Sequence, residues 1–145
     1  MTRIRIMENN GWTEVLEIKT IESQDPRPDQ VVVENTAIGL NYIDTYHRSG
    51  LYPLPLPSGI GLEAAGKVDE VGSNVSEFNK GDNIAYASLP IGAYAQDRIL
   101  PAKMAVKLPA GISHNLAEPR MTQRLTTTYL LTKPYKLTPG NTVVF

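Results

Sequence analysis

In 145 residues, fourteen Lys and Arg stand against fifteen Asp and Glu, for a net charge of −1, and 41% of the chain is hydrophobic. That is enough apolar surface for one folded core, and there is no basic field to hold nucleic acid or anionic lipid. The lack of cysteine excludes disulfides, thiolate catalysis and cysteine-ligated zinc, and no apolar stretch approaches the ~20 residues of a membrane span, so the chain reads as a soluble cytoplasmic protein with neither nucleic acid nor membrane as partner.

Residues 2–7 (TRIRIM) alternate polar and apolar, as a half-buried strand does. Asn9-Asn10-Gly11 is a turn signal, and residues 15–18 form the expected return strand. Residues 24–30 carry two prolines among polar residues and read as loop; residues 31–40 are rich in β-branched side chains and read as a longer strand. Asn41 is a good N-cap for a short helix running to about Arg48, with Gly50 as its left-handed C-terminal residue. The three prolines in 52–58 remove backbone donors and exclude regular structure there. Further strands are expected over 64–71, 83–87, 92–100 and 104–108, separated by Gly-bearing turns. Ser113 begins a long helix directed toward Tyr135, and residues 141–145 (NTVVF) read as one more strand. Six or seven short strands at close spacing give a mainly β chain of small-barrel or sandwich type.

Glu63 lies inside the otherwise apolar run GIGLEAAG, so its carboxylate must be paired or hydrogen-bonded. A structural carboxylate and a general base both fit that position. Asn41, Asp44 and Tyr46 fall on the short helix and Tyr52 just beyond it. Asn41 reads as a bare N-cap or, with the tyrosines, as part of a pocket offering flat apolar walls and donors for a carbonyl. His47 and His114 have no Cys or carboxylate cluster at ligand spacing and read as ordinary surface residues.

The series Gly39-Leu40-Asn41-Tyr42-Ile43-Asp44-Thr45-Tyr46, Arg48-Ser49-Gly50-Leu51-Tyr52-Pro53, Pro57-Ser58-Gly59, Gly61-x-Glu63-Ala64-Ala65-Gly66-x-Val68 and Val71-Gly72 continues with Gly81-Asp82, Gly92-Ala93-Tyr94 and Lys107-Leu108-Pro109. In this order it resembles the medium-chain dehydrogenase/reductase superfamily, and most closely its zinc-independent quinone oxidoreductases, relatives of zeta-crystallin. The resemblance covers essentially the whole chain. It implies a mainly β fold with short helices, a GroES-like, partly open β-barrel lacking the usual Rossmann partner domain. Zinc-dependent members carry a Cys where Asn41 stands and a His where Leu62 stands, so no metal is expected. The implied activity is metal-free hydride transfer from NADPH to a quinone. Asn41, Tyr46 and Tyr52 would face the nicotinamide and the quinone and orient the acceptor oxygen. Tyr42, Ile43, Asp44 and Tyr46 would border the cofactor, and Thr126 and Tyr129 of the long helix would approach it.

Two departures accompany the resemblance. A family strand like NTVVF leads into a glycine-rich, pyrophosphate-binding turn, whereas this chain stops at Phe145. The expectation is a truncated chain, inactive alone, with NADPH the cofactor of the full-length family and no NADPH bound by this chain as the alternative. Residues 1–124 would be the catalytic, substrate-side domain. Residues 125–145 would be a connecting helix and the first strand of an absent dinucleotide-binding domain. Residues 118–124 (EPRMTQR) place Pro119 and two arginines where relatives have a small apolar helix, so either the helix starts at Pro119 or the stretch is remodelled. The alternatives are a non-catalytic remnant that forms a homo-oligomer through its uncapped C-terminal strand, and an enone or enoyl reductase using the same pocket.

Overall fold

The computed structural model describes residues 1–87, 89–134 and 136–142, with the backbone alone for 118–120. Eight strands and two helices follow in chain order among the described residues: β1 (Thr2–Met7), β2 (Glu17–Ile21), β3 (Gln30–Ile38), α1 (Tyr42–Ser49), β4 (Ser58–Gly59), β5 (Glu63–Val71), β6 (Asn83–Ala87), β7 (Asp97–Pro101), β8 (Ala105–Lys107) and α2 (His114–Thr132). They form two antiparallel sheets, one ordered β2-β1-β4 and the other β7-β3-β5-β6-β8. The larger sheet places β3 and β5 at its centre, where their β-branched and small residues are buried.

Alternation along those strands separates two packing faces. Val31, Val33, Ala64, Val68, Ile84 and Tyr86 enter the main core. Ala65 and Ala85 point the other way and meet Ala117 of α2. Alanine at all three positions lets the helix lie close on the sheet. His114 ties the first turn of α2 down: its Nε2 lies 3.0 Å from Asn83 Oδ1, and its Nδ1 contacts the Thr36 hydroxyl. The expectation of a surface His114 is thus corrected to a half-buried tether between α2, β3 and β6.

Several boundaries move. Residue Val15 sits in a single helical turn, Thr13–Val15, where Val15 and Leu16 donate to Trp12 and Thr13, so β2 starts only at Glu17. The strand expected over 92–100 starts at Asp97. Before it, Gly92 and Ala93 donate to the Gly61 carbonyl and Tyr94 donates to Ile60, which uses their backbone groups in loop contacts. The proline run at 53–57 has no regular structure, and the two-residue β4 that follows pairs with β1. The strand expected over 141–145 has its last three residues outside the described residues, as does Tyr135. No helix among the described residues is long and apolar enough to cross a membrane.

Candidate functional site

α1 begins where β3 leaves the sheet, and Asn41 stands at its head with extended backbone angles. Its main-chain N–H donates to Asp44 Oδ2 at 2.9 Å, the carboxylate arm of a capping box. The helix ends at Gly50, whose φ of 83° is the left-handed conformation expected there. Asp44 is only 4% exposed and accepts a second hydrogen bond, 3.0 Å, from the Tyr94 hydroxyl. Gly61 makes that reach possible, since a Cβ there would lie 2.2 Å from Tyr94 Cδ1. Burial, and then the neighbouring Asp44 charge, push the Tyr94 hydroxyl far above its ordinary range and hold it protonated.

A second carboxylate grips the Asn41 side chain. Asn41 Nδ2 donates to Glu63 Oε1 at 2.8 Å, and Glu63 is 2% exposed at the start of β5. Glu63 Oε2 accepts from the Thr122 main-chain N–H at 2.9 Å and from the Thr122 hydroxyl. The requirement that this carboxylate find hydrogen-bond partners is met. Neither Asp44 nor Glu63 has an ion-pair partner among the described residues.

Beyond Asn41 runs a line of aromatic rings. Tyr42 and Tyr46 meet edge to face with centroids 5.3 Å apart, and Tyr46 and Tyr52 repeat the same separation. The Tyr52 N–H donates to the Tyr46 carbonyl at 3.2 Å, which fixes the loop against α1. Tyr42 is 76% and Tyr52 51% exposed, so flat ring faces are open to a ligand. Ile43 is half-buried on the same helix. His47, expected at the surface, is 6% exposed beneath Tyr52, with ring centroids 6.4 Å apart. The correction follows from helix geometry, because residue 47 lies one turn after Asp44 on the inward face.

Thr126 and Tyr129 are exposed on α2, and no hydrogen bond or ring contact joins them to α1 among the described residues. They share a face with Thr122, since positions 122, 126 and 129 recur at helical spacing. The face that reaches Glu63 therefore continues through both. α2 starts at His114 with Ser113 at its N-cap position, where the sequence placed its beginning; the alternative of an entry shifted to Pro119 is not taken, because that residue lies inside the helix. Pro119 has no N–H to give the ladder, and three residues later the Thr122 N–H goes to Glu63.

Tyr94 and Thr122 are site residues that sequence reasoning did not single out. Tyr94 stands in the sequence motif Gly92-Ala93-Tyr94 with no role attached to it, and its link to Gly61 emerges only in the fold. Thr122 lies 59 residues from Glu63, and no local pattern announces that pairing. A cleft of about 440 Å³ lined by Ile4, Ile38, Leu40 and Tyr94 adjoins the site, while a second of about 330 Å³ lies apart from it, around Val32 and Ile99. Among the described residues no three His, Cys, Asp or Glu side chains are grouped to hold a metal.

The arrangement is a row of open aromatic faces headed by a fixed amide, with phenol hydroxyls as hydrogen-bond donors. It suits a flat ligand carrying a carbonyl oxygen. Residues 27–110, more than half of the chain, match the alcohol dehydrogenase GroES-like domain. The chain is 50% identical to a quinone oxidoreductase of Pseudomonas aeruginosa over 93% of its length and 42% of that protein's. A crystal structure of Escherichia coli quinone oxidoreductase complexed with NADPH superposes with a TM-score of 0.91 at 46% identity, over 96% of this chain and 43% of that one. A 2-haloacrylate reductase from Burkholderia is 34% identical over 99% of the chain and 45% of its own length. The chain thus spans less than half the length of the relatives it matches.

Proposed function

The chain belongs to the alcohol dehydrogenase GroES-like domain family, and we propose that it forms the quinone-facing wall of an NADPH-dependent quinone oxidoreductase. The observation that carries this reading is the aromatic row of Tyr42, Tyr46 and Tyr52 headed by an Asn41 amide held from behind by Glu63. The high identity to quinone oxidoreductases from Pseudomonas aeruginosa and Escherichia coli supports it.

The residues fit a nicotinamide cofactor. The open ring faces of Tyr42 and Tyr52 match a flat heterocycle, and Tyr42, Ile43, Asp44 and Tyr46 would border it on one side. Thr126 and Tyr129, on the face of α2 that begins at Thr122, would approach it from the other. NADPH, when bound, supplies the hydride. The chain's own residues supply placement. Tyr46 and Tyr52 would flank the quinone with differently tilted rings, and their hydroxyls with the Asn41 amide would hydrogen-bond and polarise the acceptor oxygen. A quinone is already an electrophile and needs orientation more than a Lewis acid. Asn41 and Leu62 at the two positions where zinc-dependent members carry ligands agree with that chemistry.

Titration of NADPH by its fluorescence, followed by NADPH consumption with a naphthoquinone, tests the reading in a full-length quinone oxidoreductase that carries these residues as its first part. Micromolar binding with quinone-dependent consumption supports it, and absence of both in that full-length protein overturns it. The similarity to 2-haloacrylate reductase favours a second reading, reduction of an activated alkene in the same pocket. Consumption with an enone but no quinone would select that one.

A further inference from the structure

Asn41 holds a contact that its place at the head of a helix does not require. Its main chain is already fixed by Asp44 at 2.9 Å, yet its side-chain nitrogen is also taken, by Glu63 at 2.8 Å. Glu63 is almost wholly buried, has no ion-pair partner among the described residues, and has both oxygens committed: Oε1 to Asn41, Oε2 to Thr122. A buried carboxylate satisfied only by neutral donors is costly, and an apolar side chain would serve packing better. What a carboxylate does that an apolar side chain does not is choose between the two ends of an amide. It accepts only, so it binds the nitrogen end, and a flipped Asn41 would set Oδ1 against Oε1.

We propose that Glu63 is a positioning residue. Anchored by Thr122 of α2, it locks the Asn41 amide so that the second Nδ2–H remains a donor of fixed orientation for the substrate's carbonyl oxygen. The inference rests on the reading of the site as a quinone pocket. One N–H is consumed by Glu63, and the other is the one left for a ligand. A donor fixed before the reaction is worth more than one that must be oriented during it. Through Thr122, the same carboxylate sets the start of the α2 face that carries Thr126 and Tyr129. One buried group therefore orients both walls.

Glu63→Gln is the decisive variant, because it keeps the shape and cannot accept from both neighbours with both atoms. With Thr122 retained as donor to its oxygen, the new NH2 opposes Asn41 Nδ2 and favours the flipped amide. Two readouts follow. In proton–nitrogen spectra of the protein, the Asn41 side-chain NH2 pair should lose its carboxylate-bonded, downfield member in Glu63→Gln. In quinone turnover, Glu63→Gln should lower kcat about 10- to 100-fold with the KM for NADPH unchanged, and should add nothing in an Asn41→Ala background. Thr122→Val, which removes the hydroxyl donor and keeps the main-chain bond, should give a partial loss of both signals and serves if Glu63→Gln does not fold. An unchanged Asn41 NH2 pair overturns the proposal, as does an equal loss of kcat with and without Asn41. A full-length protein carrying these residues that reduces no quinone, while the NH2 signal responds to Glu63→Gln, would sink the quinone reading and leave the amide lock standing.

Discussion

Tyr94 and Asp44 form a polar pair beside Asn41, and their behaviour with pH follows from burial. The Tyr94 hydroxyl is held protonated well above the ordinary tyrosine range, first by burial and then by the Asp44 charge. Its pKa is raised on folding, so this group takes nothing from stability below about pH 10. Above that, the unfolded chain loses the proton while the folded chain keeps it, and stability falls as pH rises. Tyr94→Phe should therefore flatten the alkaline limb of the stability curve, read from denaturant midpoints across pH. At neutral pH the same variant should cost about 1–2 kcal/mol, because buried Asp44 loses one of its two donors. An alkaline limb unchanged by the substitution would rule this account out. Local residues of the site were legible in the chain: Asn41 as a cap, Gly50 as a terminator, Glu63 as a carboxylate in need of partners. The partners themselves were not. They come from a loop 50 residues beyond Asp44 and a helix 59 residues beyond Glu63, separations at which sequence spacing carries no geometric signal.

At the level of elements, α2 is the one that departs most from local preference. It accepts a proline in its interior, where the missing N–H leaves a gap in the ladder. What holds it is contact with the sheet: Ala117 against Ala65 and Ala85, His114 to Asn83, and Thr122 to Glu63. Two outcomes follow. Pro119→Ala restores the helical donor and should raise unfolding free energy by up to about 3 kcal/mol, seen as a higher denaturant midpoint at unchanged slope. Ala65→Leu should lower it by about 1–3 kcal/mol, since a larger side chain cannot enter between two alanines without moving the helix. Strand existence was readable from alternation because one face of each strand must be buried. Strand ends were not, because Val15 and the 92–96 stretch satisfy their backbone groups in turns and loop contacts that depend on Gly61 and β1.

For the whole molecule, the decisive surface is the one left open: Leu40, Tyr42 and Tyr52 around α1, and Leu125, Tyr129 and Leu130 along the far half of α2 are all exposed. The ordered motifs disclosed the family, since each marks a turn or cap that the fold reuses, and the close spacing of short strands disclosed the mainly β fold, whereas the strand order within the two sheets was not legible because it rests on pairings between distant segments. Exposed aromatic faces of this kind gain stability when a flat ligand covers them. A ligand that binds only the folded chain adds about 2.7 kcal/mol at a hundredfold excess over its Kd. For a chain of this size that corresponds to a rise of roughly 6–12 °C in Tm. NADPH should produce such a rise in the wild-type protein, and Tyr42→Ala and Tyr129→Ala should each reduce it while leaving the unliganded Tm nearly unchanged, because both side chains are largely exposed. Equal shifts in wild type and both variants would place the nucleotide elsewhere. A shift lost with Tyr42→Ala but kept with Tyr129→Ala would assign the cofactor to the α1 wall alone.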